Sequence, residues 1–259
     1  MSIDLKFGDS LYVRYTKFCS QIVNNEKSFS TFRRDPRYTY MLEHVNQNHG
    51  ARYLDEVLKK FKKYITLINW SGVHANDKFG QPQKCNYAHK LAKHVKLDNY
   101  LFSPTTLRYL HIGLDVLQRH INKQLNIVEI GGGYGGQCWL IFVLAPLFNV
   151  EITSYTILDL YYPTLVQDKY LRKMGGDMNK IMCITVDKYV NQPVDLLISN
   201  FALSEIQTEY QKCYADIVSQ SDHGYFLWNR VDTSILSGKD LSISAETPAT
   251  KFKNRLICY

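Results

Sequence analysis

A carboxylate placed just ahead of a glycine-rich turn is the feature of this 259-residue chain most able to do chemistry. Ile127-Val128-Glu129-Ile130 is apolar apart from Glu129 and reads as a strand; Gly131, Gly132, Gly133, Gly135 and Gly136 follow at once. Glycine belongs where the backbone takes positive φ or lets a ligand approach. Clustering so many costs conformational entropy that a turn without a ligand gives no reason to bear. A strand, a glycine turn and a helix together make a nucleotide-cofactor pocket. Gly131, Gly133 and Gly136 also satisfy the G-x-G-x-x-G spacing of dinucleotide sites. Glu129 separates the two possibilities. Beside an anionic pyrophosphate it repels, whereas beside the sulfonium and amino group of S-adenosylmethionine it attracts. Asp159, closing the next apolar strand, can bind ribose hydroxyls in either cofactor.

These residues need a sheet to hold them. From Asn126 onward the pattern alternates, predicting strands at 127–130, 152–157, 181–186, 194–199 and 224–229 and helices at 136–147, 163–174 and 204–219. Two further strands are expected near 241–245 and 254–259. Short strands that are apolar but for one residue, such as Val194-Asp195-Leu196-Leu197-Ile198, suit a parallel sheet covered on both faces, and the alternation gives a doubly wound α/β fold. Ligands in such sheets bind beyond the carboxyl ends of the strands, which lines up Gly131, Asp159, Asp187 and Asn200. Residues 8–70 read as mainly helical, with Leu54, Val57, Leu58, Phe61 and Tyr64 on one apolar face. Residues 71–104 read as loops around a short helix, and 105–119 as a helix with Ser103 at its N-cap and Pro104 at its first position. The expected division is an N-terminal helical extension or lid over 1–104 and a cofactor-binding domain over 105–259.

The composition, 45% hydrophobic and 21% charged, is that of a globular protein with a substantial core. Six cysteines lie far apart with no C-x-x-C pair, which argues against a zinc site or disulfide scaffold and suits a reducing, cytoplasmic compartment. No metal site is expected: His89 and His94 are not at helical i,i+4 spacing, although a carboxylate pair binding a divalent ion stays open. Met1–Lys6 carries no apolar signal core, and the longest apolar run, Cys138–Val150, is too short to cross a bilayer. Net charge is +7, with basic clusters at Lys59, Lys60, Lys62 and Lys63 and at Lys84, Lys90, Lys93 and Lys96. These suit an anionic partner such as a nucleotide-sugar, a phosphorylated glycan or RNA, or are simply solvated helix faces.

Several motifs together resemble the sugar O-methyltransferase family, a branch of the class I S-adenosylmethionine-dependent methyltransferases. The resemblance runs from about residue 36 to the end of the chain. Its residues are Leu42-Glu43-His44-Val45, Asn76-Asp77-Lys78-Phe79-Gly80-Gln81-Pro82, Ser103-Pro104-Thr105-Thr106-Leu107-Arg108-Tyr109 and Val128–Gln137. Thr156–Leu160, Ser199–Ile206, Thr247-Pro248 and Asn254 complete them. Class I enzymes share the glycine motif; the S-P-T-T-L-R-Y and N-x-x-x-S-E segments are what resemble this branch. One departure is the displaced proline of Leu160-Tyr161-Tyr162-Pro163. The resemblance implies a Rossmann-like, mostly parallel seven-stranded sheet whose last strand is antiparallel. It also implies a cofactor set of Arg108, Tyr109, Glu129, Gly131, Gly133, Tyr134, Gly135, Gln137, Asp159, Asp187, Asn200 and Phe201.

In that set Glu129 anchors the cofactor amino group, Asp159 the ribose diol and Asp187 the adenine amino group, while Arg108 can hold a carboxylate bidentately. A hydroxyl acceptor needs a base: Glu205 is the first candidate, with Asp77 and His74 of the 72–82 loop as second candidates. The expected activity is methyl transfer to a sugar hydroxyl of a glycan or nucleotide-sugar. The alternatives are an RNA or small-molecule methyltransferase, an inactive cofactor-binding partner of a glycan enzyme, or an NAD-dependent sugar oxidoreductase. Asn200 lacks the following Pro-Pro-Tyr typical of DNA adenine methyltransferases, which lowers that option; nucleic acid is not the expected partner, and no membrane insertion is expected.

Overall fold

The computed structural model describes residues 10–43, 45–251 and 253–259; Met1–Lys6 and His44 of the motifs above lie outside the described residues. The main sheet has seven strands: β1 Gln124–Ile130, β2 Glu151–Leu158, β3 Ile181–Ile184, β4 Val194–Asn200, β5 Ser221–Trp228, β6 Ser242–Ala245 and β7 Arg255–Cys258. Their spatial order is β3-β2-β1-β4-β5-β7-β6. The pairs among β3, β2, β1, β4 and β5 are parallel, while β7 runs antiparallel to both β5 and β6. The fold is therefore α/β and Rossmann-like, with an antiparallel last strand. The order reverses between β1 and β4, the switch point where such sheets hold ligands beyond their strand ends.

Strand alternation explains the two-sided cover. Ile127, Leu196, Ile198, Tyr225 and Leu227 belong to one buried cluster, and Val128, Leu197, Phe226 and Trp228 to another. Successive residues on a strand face opposite sides, so each strand feeds both cores. Five longer helices, α1 Ser10–Asn24, α2 Gln47–Lys60, α3 Pro104–Gln118, α4 Gly136–Leu144 and α5 Tyr161–Met174, supply the first cluster. Helix α3 is buried on nearly every side, from Pro104 to Leu117. Its start matches the sequence reading: Thr106 N–H donates to Ser103 Oγ at 3.1 Å, and Pro104 stands at the first position, where its missing N–H costs nothing.

The second cluster is covered differently from the expectation. A single helix over 204–219 does not form; short helices at Ala202–Glu205, Thr208–Gln211 and Ala215–Gln220 take its place. Ile206 and Gln207 turn extended, and Gln211 Nε2 donates to the Leu203 and Ile206 carbonyls, satisfying the groups that the break exposes. Helix α4 likewise ends at Leu144, before a 3-10 turn that begins at Ala145 and contains Pro146. The basic clusters lie on exposed or half-buried positions; Lys90 pairs with Asp55 at 2.7 Å and Lys60 with Glu56 at 3.6 Å. No helix among the described residues is long and apolar enough to cross a membrane.

Candidate active site

The carboxyl ends of β1, β2 and β4 open into one cleft, lined among others by Arg108, Glu129, Gly131, Asp159, Asn200 and Glu205. Tyr109, Gly133 and Phe201 also line it. Gly131 takes φ +77°, and a Cβ there would lie 2.1 Å from the Ala202 Cβ, so the turn after β4 can close on β1 only because position 131 has no side chain. Gly133 takes φ +59°, and a Cβ there would meet only Tyr109 Oη, at 3.4 Å. Its backbone is open on the cleft side, as a ligand-cradling turn requires.

Glu129 is 1% exposed. Tyr155 Oη donates to its Oε2 at 2.9 Å, and no cation pairs with it among the described residues. Burial pushes its pKa up to about 7, against the lowering effect of the Tyr155 hydrogen bond, with the Asp159 charge adding to the rise. Asp159 Oδ1 accepts from its neighbour's Leu160 N–H at 2.8 Å. Its Oδ2 accepts from Gln167 Nε2 at 2.7 Å, and the same Nε2 donates to the Gly133 carbonyl at 3.0 Å.

Across the cleft, Asn200 ends β4. Both its Oδ1 and its Nδ2 are buried without a hydrogen-bond partner among the described residues, and so is Nε of Arg108. Buried polar atoms are nearly always partnered, so three orphans on one cleft are what a site built for a polar ligand looks like. The Arg108 guanidinium lies 5.0 Å from the Phe201 ring centroid. Phe201 itself takes φ +72°, a conformation costing a non-glycine residue about 1–3 kcal/mol. Glu205 follows one turn on. Its Oε1 accepts from Asn229 Nδ2 at 2.6 Å, and Ser204 Oγ donates to Asn229 Oδ1 at 2.8 Å, fixing which way that amide points.

Other expected site residues are placed elsewhere. Asp77 does not line the cleft: it is 3% exposed and accepts from Arg33 Nη1 (3.1 Å), Ser103 N–H (2.6 Å), Ser103 Oγ (2.7 Å) and Thr106 Oγ1 (2.8 Å). His74 also lies off the cleft. Its ring stacks on Phe102 at 4.0 Å, its Nε2 is 3.2 Å from the Asn99 carbonyl, and burial lowers its pKa. Neither is positioned to take a proton from a ligand in the cleft. Tyr134 turns into the core, where Asn76 Nδ2 donates to its Oη at 2.9 Å and the Arg33 guanidinium lies over its ring. Gln137 is buried and donates from Nε2 to the Tyr109 carbonyl at 3.2 Å, which makes it a prop for the cleft wall. Gly135, at φ +91°, packs toward Leu171 and caps α4. Asp187 is exposed on the turn after β3 and away from the cleft lining.

The tail motif also holds structure together. Glu246 accepts from Tyr53 Oη at 3.0 Å and from Asn254 Nδ2 at 2.9 Å, tying the turn between β6 and β7 to α2.

Sequence reasoning missed the roof and the props. Tyr12 and Tyr15 of α1, Met41 of a short helix, and Tyr214 line the cleft from outside the motifs, and Leu42, which opens the Leu42–Val45 motif, lines it without having been assigned a role. Tyr155 and Gln167 carry no motif and were not singled out from the sequence. The one available signal was parity: Glu129 pairs in register with Ile157, and Tyr155, two residues earlier, shares its face.

No protein-family model matches this chain, and no curated protein matches it, so the sugar O-methyltransferase resemblance stands on its motif residues alone. Solved structures align with parts of this chain or most of it. Magnesium protoporphyrin IX methyltransferase from Synechocystis, with SAM bound, is 14% identical over 77% of this chain and 94% of its own, with a TM-score of 0.45. MtNAS, in complex with MTA and tNA, is 12% identical over 96% and 97%, with a TM-score of 0.43. A structure from Galdieria sulphuraria described as a sarcosine dimethylglycine methyltransferase is 14% identical over 48% of this chain, with a TM-score of 0.37; this chain spans 47% of its length. Likeness at these levels carries no assignment of substrate or activity.

Proposed function

We propose that this chain is an S-adenosylmethionine-dependent O-methyltransferase whose acceptor is a sugar hydroxyl of a glycan or nucleotide-sugar. The observation that carries the cofactor is a buried carboxyl, Glu129, facing the same cleft as the orphaned polar atoms of Arg108 and Asn200. A cleft with an acid lacking a cationic partner on one side and a guanidinium with an unsatisfied Nε on the other suits a ligand carrying both an ammonium and a carboxylate. It suits a pyrophosphate poorly, because Glu129 and Asp159 would both face it.

Glu129 would hold the amino group, Arg108 the carboxylate, Asp159 the ribose diol, and the Gly131–Gly133 backbone would let the methionine portion come close. S-adenosylmethionine, when bound, supplies an electrophilic methyl that an oxygen nucleophile takes by direct displacement. The protein's own part is to position that oxygen and take its proton. Glu205 is the base this reading uses: it lines the cleft, and Asn229 fixes one of its oxygens. The sugar acceptor is supported by the S-P-T-T-L-R-Y and N-x-x-x-S-E segments, on resemblance.

Calorimetric titration with S-adenosylhomocysteine and, separately, NAD tests the reading. Micromolar binding of the first and none of the second is expected; binding of NAD alone would replace it with an oxidoreductase. With an acceptor found by screening sugars, Glu205→Gln is expected to keep cofactor affinity and lose turnover, and retained turnover would remove Glu205 as the base.

A further inference from the structure

Glu129 is enclosed by groups that leave its charge uncompensated. Tyr155 from β2 gives it one hydrogen bond; Asp159 at the end of β2 is a second acid; Tyr109 of α3, Cys138 of α4 and Cys183 of β3 complete its titratable surroundings. Burial raises the pKa of each of those phenols and thiols, so all stay neutral near pH 7. Arg108 is the one cationic side chain on the cleft among the described residues, and it makes no ion pair with Glu129. A carboxyl so placed has two stable arrangements: neutral with no cation present, and ionised beside one.

We propose that Glu129 surrenders a proton when the cofactor's ammonium group arrives, so that cofactor capture is proton-coupled and weakens in mild acid. The inference rests on the cofactor reading above. Protons balance simply: the ammonium enters already charged, the carboxylic acid becomes carboxylate, and its proton leaves to the buffer. Burial, which sets the neutral form of Glu129 as the resting one at pH 6, is the cause. The coupling also gives the cleft a preference, since a ligand lacking the cationic group gains nothing from ionising Glu129 and must leave it neutral.

The test is calorimetric titration of the full chain with S-adenosylhomocysteine at pH 6 and pH 8, each in two buffers of different ionisation enthalpy. Linkage gives about nine-tenths of a proton released per ligand at pH 6, about one-tenth at pH 8, and affinity roughly tenfold weaker at pH 6. Glu129→Gln is expected to bind more weakly at pH 8, with no proton release and equal affinity at the two pH values. Tyr155→Phe, which removes the hydrogen bond favouring the carboxylate, should move the loss of affinity to higher pH. 5′-Methylthioadenosine, which lacks the ammonium, should bind without proton release. Tight binding with no proton exchange would overturn the inference and leave the cofactor reading standing. Proton release that persists in Glu129→Gln would also overturn it. No binding of S-adenosylhomocysteine at either pH would overturn both.

Discussion

Gln167 Nε2 stands 2.7 Å from Asp159 Oδ2 while also donating to the Gly133 carbonyl at 3.0 Å, so one amide holds the acid at the end of β2 to the glycine turn after β1. If Asp159 binds the ribose diol, its orientation depends on this clamp. Gln167→Leu should weaken S-adenosylhomocysteine binding about three- to tenfold, the worth of one net hydrogen bond. Titration calorimetry checks it; unchanged affinity would show that Asp159 needs no clamp, and Asp159→Ala would then decide whether Asp159 binds at all.

Arg33 and Asp77 are buried together, and Glu43 completes the ion cluster through Arg33 Nε. Asp77→Ala strips Arg33 of one partner and leaves Ser103 N–H unsatisfied. Breaking such a buried pair costs about 3–5 kcal/mol. Thermal or denaturant unfolding should therefore show a large loss, with S-adenosylhomocysteine affinity of the surviving folded protein little changed. Normal stability joined to a selective loss of turnover would return Asp77 to the candidate bases.

Asn200 carries two buried polar atoms without partners among the described residues, a cost that removing the amide would relieve. Asn200→Ala should leave stability equal or raise it by roughly 1 kcal/mol while weakening cofactor binding. Parallel melts with and without S-adenosylhomocysteine read both effects. A destabilised variant with normal affinity would make Asn200 a structural residue.

Glu129 has its pKa raised from its ordinary value to about 7 by burial. A carboxyl raised in this way contributes stability that is fully present below its unfolded pKa and lost as pH rises through about 7. The apo protein should lose on the order of 3 kcal/mol from this group between pH 4.5 and pH 8. Glu129→Gln removes the titration, so its stability advantage over the natural chain should grow across that window. Equal pH profiles from urea unfolding would show that Glu129 is ionised and solvated in the fold.

Much of the frame was legible in the residue order. The run Ile127–Ile130 with its glycines located β1 and the turn, because positive φ at Gly131 and close approach to Ala202 exclude a side chain there. The alternation from Asn126 located the other strands to within a few residues, and Ser103-Pro104 marked the start of α3, since caps and strand parity are local properties. The helix expected over 204–219 failed because its breaks are satisfied by a side chain, Gln211, reaching carbonyls that only the folded turn presents.

The site divides along the same line. Glu129, Gly131, Gly133, Asp159, Asn200 and Glu205 were nameable in advance, because each sits at or just beyond a strand end and the parallel sheet gathers those ends along one edge. Tyr134 and Gln137 share the glycine motif with Glu129, Asp77 belongs to the Asn76–Pro82 motif and His74 lies just ahead of it, yet their side chains turn to Asn76, the Tyr109 carbonyl, Arg33 and Phe102. A motif records which residues occur together and is silent on which way each one faces. Only the packing of the N-terminal helices onto the sheet decides that Asp77 is spent on a buried arginine while Glu129 has no cationic partner among the described residues. It also decides that Tyr12, Tyr15, Met41 and Leu42 roof the cleft, because burial of a charge and closure over a cavity depend on what distant parts of the chain bring to the same place.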